Sequence, residues 1–322
     1  MSLASFQRYS YSGLDPALAC DVVYGGHFEH RLLSARHSNM AHQRLASREV
    51  VLETGSYDFP VVACGVMPQD MLCIGMVAEG AETTRYNTTS IDADEVQIYR
   101  PGAELLYHAS ARSRWITFVV PQALLQSTAM ACIGQPLPLP RHAAMSVRLA
   151  AGGRARLARL ADDALAMGRA LAPAGLSDAL AEGIFQGLLD SYVSELGGAV
   201  LADNKRMASA RKHLQLVLAC ERLALTEDLL NVELDDVARR SGYSRRALEL
   251  IFKRTLGMPP GRWFLNIRLN GAMRDLLLAP PGCLVIDVAT RWGFRHFSRF
   301  AQQYHRVFGE LPSQTLQGAR AR

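Results

Sequence analysis

A chain of 322 residues is longer than one ordinary core can fill, so two domains are expected. Apolar residues at 49% and charged residues at 20% exclude a disordered or fibrous chain, and no apolar run approaches the roughly 20 residues of a membrane-crossing helix. Charge is split: from Asn204 onward 20 Lys and Arg face 10 Asp and Glu, which leaves residues 1–203 at −5 out of a total of +5, so only the C-terminal part is expected to meet a polyanion.

The opening MSLASFQRYSYSG has no apolar stretch behind a basic start, and a cytoplasmic location without membrane contact is expected. From about residue 20 to 125, short runs (Val50–Glu53, Val61–Val66, Leu72–Val77, Val96–Tyr99, Trp115–Val120) alternate with turn-forming Gly, Pro, Asp and Asn. That rhythm predicts a β sandwich or small barrel over residues 1–140. Gln135-Pro-Leu-Pro-Leu-Pro140 breaks regular structure. Over residues 141–203, Arg154–Leu171 and Leu176–Leu196 repeat apolar residues at helical spacing, which predicts two helices that either dimerise or pack on their own β domain.

Residues 204–322 read as helical throughout, with helices over Lys205–Leu223, Glu233–Arg240, Ser244–Thr255, Pro260–Leu278, Ile286–Arg291, about His296–Val307 and beyond Pro312. Ser244 is placed to cap a helix start, Gly257 to end one and Pro260 to sit in a first turn. Within this block Val-Ala-x-x-x-Gly-aromatic occurs twice, at Val237, Ala238, Gly242 and Tyr243 and again at Val288, Ala289, Gly293 and Phe294. A small residue where two helices cross and a glycine at the turn between them are what a helix-turn-helix needs. With the buried positions removed, the first recognition helix offers Arg245, Arg246, Glu249 and Lys253, and the second Arg295, His296, Phe297, Arg299 and Gln302. Arg suits guanine and phosphate, Gln suits adenine, and an aromatic suits a thymine methyl. The helix of about 19 residues between the units, roughly 28 Å long, could set them near one DNA turn apart, in successive major grooves.

These residues, with Ser298, Phe300, Phe308-Gly309 and Leu311-Pro312-Ser313, make the block from about Lys205 to Leu316 resemble the DNA-binding domain of the AraC family of bacterial transcription regulators. Two positions depart from that pattern: His305 stands where the family usually has Lys, and Leu250 where a polar residue is common. The resemblance implies an α+β chain, with an N-terminal cupin-like, ligand-sensing barrel joined to a C-terminal all-α domain of seven helices. It also implies promoter DNA and RNA polymerase as partners and usually activation, while the helical pair over residues 141–203 is the element expected to form a homodimer.

For the effector, Arg44-Leu-Ala-Ser-Arg48 places two arginines on one strand face roughly 13 Å apart if the strand runs through both. Asp70 and Gly75 follow in an order similar to the D-x-S-x-x-G of PilZ domains, with Leu72 where that pattern has Ser. The similarity extends to cyclic-di-GMP-responsive AraC-type regulators and makes Arg44, Arg48, Asp70 and Gly75 the ligand-site candidates, with cyclic di-GMP as the effector. The N-terminal half is also similar to the ethanolamine-regulator branch, which leaves a small amine or another metabolite as the alternative. A cupin-type enzyme with a DNA-binding tail is a further alternative. His27, His30, His37, His42 and His108 lack the spacing of cupin metal ligands, and G-x-S-x-G, Walker and G-x-G-x-x-G patterns are missing, so neither metal, cofactor nor catalysis is expected. Six cysteines without a C-x-x-C pair are expected to be mostly small buried hydrophobes.

Overall fold

The computed structural model describes residues 4–34, 38–201, 204–225 and 234–321, so His37 and Glu233 lie outside the described residues. The chain opens with β1 (Ala4–Ser12), β2 (His27–Leu32), β3 (Asn39–Ser47), β4 (Val50–Tyr57), β5 (Val61–Val66) and β6 (Leu72–Glu79). It continues with β7 (Thr84–Tyr86), β8 (Thr89–Ser90), β9 (Glu95–Tyr99), β10 (Glu104–Ala109) and β11 (Ser113–Val120). Next come α1 (Gln122–Ile133), β12 (Ala144–Arg148), α2 (Gly153–Leu171), α3 (Asp178–Gly197) and β13 (Val200–Leu201). The last block is α4 (Asn204–Leu225), α5 (Leu234–Ser241), α6 (Arg245–Leu256), α7 (Pro260–Leu277), α8 (Val285–Arg291), α9 (Phe297–Phe308) and α10 (Pro312–Arg320).

The strands form two antiparallel sheets, one ordered β1-β3-β4-β11-β6-β9-β12-β13 and the other β2-β5-β10-β7-β8. Side chains alternate across a strand, and here both faces of the larger sheet are buried. On β11, Trp115 and Val119 point into the space between the sheets, while Ile116 and Phe118 point outward under α1, α2 and α3. That double burial is why these strands read as continuous apolar runs. Residues 141–203 do more than link: β12 and β13 extend the large sheet, and Leu157, Leu165, Phe185 and Tyr192 of α2 and α3 complete its outer core. Of the cysteines, Cys73 and Cys220 are buried, Cys64 and Cys283 half-buried, and Cys20 and Cys132 exposed, so the expected burial holds for a minority. Among the described residues no helix is long and apolar enough to cross a membrane.

The helical block docks on the outer face of the smaller sheet, where Val62 and Leu106 join Val217, Phe252, Trp263 and Ile267 in one core. Its polar centre is Arg31 of β2. The guanidinium lies 5.3 Å from the Trp263 ring centre, donates to Glu221 of α4 at 2.5 Å and to Glu29 at 2.9 Å. Arg274 of α7 reaches the same Glu29 at 2.6 Å. Burial pushes the Glu221 carboxyl up against the pull of Arg31, while the pairing keeps Arg31 firmly charged. One residue along, Asn270 of α7 accepts from the Leu32 N–H at 2.8 Å and donates to the Leu32 carbonyl at 3.1 Å. Since β2 is an edge strand, this side-chain amide takes the place of a neighbouring strand.

Removing one member of a buried ion pair strands the other, at a cost of about 3–5 kcal/mol. Arg31→Ala should therefore lower the urea midpoint followed by tryptophan fluorescence, and Arg31→Met combined with Glu221→Leu should recover most of it; an unchanged midpoint in Arg31→Ala would show that the pair carries little. The fold also predicts acid sensitivity. Burial brings the imidazoles of His30, between the sheets, and of His108, beside Gly257, down to about 4 from 6.5. Both stay neutral when folded and take up protons once unfolded, so their contribution is complete above pH 6.5 and declines as pH falls toward 4, by about 3 kcal/mol each at the limit. His108→Leu should remove roughly half of that slope in denaturation measured between pH 6.5 and 4.5.

Candidate nucleic-acid interface

Each helix-turn-helix is shaped by its turn. Gly242 and Gly293 hold φ of +72° and +71°, a region open to glycine at little cost. Ser244 then caps α6, its hydroxyl accepting from the Ala247 N–H at 3.2 Å, and Gly257 ends the helix at φ +70°. Val237, Leu248, Ile251, Phe252 and Leu256 are buried, with Tyr243 half-buried against them. In the second unit Val288, Ala289 and Phe294 are buried, and Phe300, Tyr304 and Phe308 form the inner stripe of α9. Phe294 and Phe300 lie 4.6 Å apart between ring centres, as do Tyr304 and Phe308.

What remains faces solvent. Arg245, Arg246, Glu249 and Lys253 are all exposed on α6, as are Arg295, His296, Phe297, Arg299 and Gln302 at the start of and along α9. Arg245 is tied down in part, 3.5 Å from Glu249 and 3.6 Å from Asp235. Exposed Arg254 and Arg306, in the last turns of the two helices, extend both basic faces. The candidates read from the sequence stop at Lys253 and Gln302, short of both.

The connecting helix α7 has 18 residues and so spans roughly 27 Å. It grips the second unit at three points. Arg268 donates to the carbonyls of Trp292 and Gly293, at 2.8 Å each, with its charge 4.2 Å from the Phe294 ring centre. Asp275 accepts from the Trp292 indole at 3.0 Å and from Arg291 at 2.9 Å. Gly271 leaves the space that the Trp292 ring occupies, since a Cβ there would collide with it. Arg268, invisible as a functional residue in the sequence, thus fixes the turn from which α9 projects.

Residues 237–318 match the family model described as "Helix-turn-helix domain". The chain is 44% identical over 81 residues to a probable thc operon regulatory protein of Rhodococcus erythropolis, covering 25% of this chain and 24% of that one. It is 32% identical over 108 residues to the HTH-type transcriptional activator AarP of Providencia stuartii, covering 32% of this chain and 78% of that protein. The chain belongs to the AraC family of transcription regulators. A solved transcriptional regulator of Chromobacterium violaceum with an AraC-type DNA-binding domain is 28% identical, covers 35% of this chain and 96% of its own, and superposes with a TM-score of 0.31. The chain spans about a quarter or less of the length of the first curated relatives it matches.

In this AraC-family regulator the sensory candidates do not form the site expected of them. β3 ends at Ser47, and Arg48 occupies the hairpin turn at φ +51°. The strand therefore does not run through both arginines, and the expectation that they share a face is corrected. Arg48, 62% exposed, lies 3.5 Å from Glu182 of α3. Arg44, 6% exposed, points between the sheets, where it donates to the fully buried Glu53 at 2.5 Å and to both oxygens of Asp21 at 2.9 Å. Strand register places Arg44, Glu53, Thr117, Gly75 and Gln97 on one rung across the inner face, so Gly75 does lie on Arg44's row. Asp70 is exposed in the loop before β6.

Between the sheets lies a small cavity of about 30 Å³ lined by Tyr57, Tyr86, Tyr99, Tyr107 and Trp115, with Gly75 and Thr117 from the rung and Val22 and Val23 from the segment before β2. The Tyr99 hydroxyl is buried there without a hydrogen-bond partner. Among the described residues no group of three His, Cys, Asp or Glu is placed to hold a metal ion.

Gly271→Ala should displace the Trp292 ring, lower stability by about 1–3 kcal/mol and weaken DNA binding mainly through the half-site read by α9. Footprints of wild type and variant that fade equally over both half-sites would count against a role confined to the second unit.

Proposed function

We propose that this chain is a sequence-specific transcription activator that reads DNA through α6 and α9 and is controlled by a small molecule received between the two sheets. One observation carries the reading. Two capped helices expose Arg246 and Lys253 on one and Arg299 and Gln302 on the other, while their apolar stripes are fully engaged inside the domain. A helix of roughly 27 Å between the units suits neighbouring major grooves, about 34 Å apart, so one subunit can read an asymmetric site. Contact with RNA polymerase follows from activation. A homodimer is supported by the outer faces of α2 and α3, which leave Met167 and Leu180 exposed.

For the effector, the internal cavity favours a compact metabolite over cyclic di-GMP. The two guanidiniums expected to share a strand face have separate partners, Arg48 beside Glu182 and Arg44 committed to Glu53 and Asp21. Aromatic walls with one polar rung suit a small molecule that has an apolar body and one hydrogen-bonding or charged end.

Arg246→Ala and Arg299→Ala should each weaken promoter binding by about 1–3 kcal/mol in gel shifts against a shuffled competitor, if they contact base edges. A loss of the same size on promoter and shuffled DNA would reassign them to the phosphate backbone, and no loss from either would defeat the reading of these faces.

A further inference from the structure

The segment between β1 and β2 contributes to the lining of the cavity. Leu14, Ala17, Ala19, Val22 and Val23 are buried, and the last two sit against the aromatic walls. Yet this strap has little regular structure, with a single turn at Asp15–Leu18. It is held to the rung by the Tyr24 N–H donating to Glu53 at 2.8 Å, by the carboxylate of Asp21 on Arg44, by the Asp21 carbonyl accepting from Arg44 at 3.1 Å and by the Arg44 guanidinium 5.3 Å from the Tyr24 ring centre.

The two carboxylates on Arg44 are unlike. Glu53 is wholly buried, takes Arg44 Nε, the Tyr24 N–H and lies 3.3 Å from His42, and cannot leave without stranding charge inside the barrel. Asp21 is 63% exposed and meets the outer edge of the guanidinium end-on, one oxygen on each terminal nitrogen at 2.9 Å. That fork geometry is the one a free carboxylate adopts on arginine. Because Asp21 is largely hydrated already, exchanging it for another carboxylate conserves the charge around Arg44 and costs little desolvation.

We propose that Asp21 is an internal stand-in for the effector, and that the effector is a small monocarboxylate with a flat apolar body. Its carboxylate takes the place of Asp21 on Arg44, its body replaces Val22 and Val23 between Tyr57, Tyr99 and Trp115, and the unpaired Tyr99 hydroxyl supplies one further polar contact inside. An amine is the poorer fit, since the one carboxylate fully inside, Glu53, is already saturated. This inference rests on the reading that effectors enter between the sheets and gives that effector a chemical class.

The test is calorimetric titration of full-length wild type and Asp21→Asn with phenylacetate and hexanoate, with phenylacetamide and hexanamide as uncharged counterparts. Asp21→Asn removes the competing charge from an exposed position, so at least one of the acids should bind the variant ten-fold or more tighter than wild type, and neither amide should bind comparably. Quenching of Trp115 fluorescence by the same acid should report occupancy of the cavity. Equal affinity for wild type and variant, or equal binding of acid and amide, would overturn the exchange at Arg44. No binding of either acid to either protein would also overturn it, while promoter binding in the same preparations keeps the regulator reading separate from that failure. As a second readout, the strap in Asp21→Asn should be cut faster than in wild type by a protease at limiting dose, and protection by the acid should exceed that by the amide.

Discussion

The arrangement of the two halves depends on how the edge of β2 is satisfied. An edge strand leaves a row of backbone donors and acceptors that must find water or a partner, and Asn270 provides that partner at Leu32. Beside it Arg31 is enclosed by Glu221 and the Trp263 face. None of these groups would be tolerated in an apolar setting alone. Together they satisfy one another, so the interface has a specific register rather than the latitude of a purely apolar contact. The DNA-binding half is in this way held by polar complementarity around a small apolar centre at Val62, Leu106 and Ile267.

Much of the fold was legible because local signals and tertiary roles agree. Ser244, Gly257, Pro260 and the paired Gly242 and Gly293 each do in the structure what their chemistry suggests in the chain, and the six helices α5 to α10 start or stop near such residues. The inner strands were legible because burial on both faces leaves an unbroken apolar run. β1 was not: on its inner face Gln7 and Tyr9 are exposed and only Tyr11 is half-buried against the core, so the strand stays largely polar. α1 was also missed, since QALLQSTAMACI is weakly apolar all round and buries only Leu125, Thr128 and Ala129.

The arginine pair was misread for a definite reason. A two-residue hairpin usually announces itself with Asn or Gly at the left-handed position, and here Arg48 occupies it. Without that marker the local pattern reads as one continuous strand, with Arg44 and Arg48 on a shared face. The clue lay elsewhere: Arg44 and Glu53 are equidistant from the turn at Arg48 and Glu49, so folding the hairpin brings opposite charges directly across from each other. The links from Arg31 to Glu221 and from Leu32 to Asn270 had no comparable clue, since nothing in local pattern joins residues about 190 and 238 positions apart.

These features also lie on one physical line. The strap beside the cavity touches α7 through its turn at Asp15–Leu18 and runs directly into β2, where Phe28 faces the cavity while the Arg31 side chain and the Leu32 backbone meet the helical block. Its buried residues and those of α7, among them Leu269, Ala272 and Met273, belong to a single apolar cluster. A molecule that displaces Val22 and Val23 would therefore disturb the contact with α7 and the start of β2 at once. The same α7 fixes the second recognition helix through Arg268, Gly271 and Asp275. Occupancy between the sheets and the placement of α9 share this one helix, and any free energy that a ligand gains by moving the strap becomes available to bias how the two DNA-reading units are set.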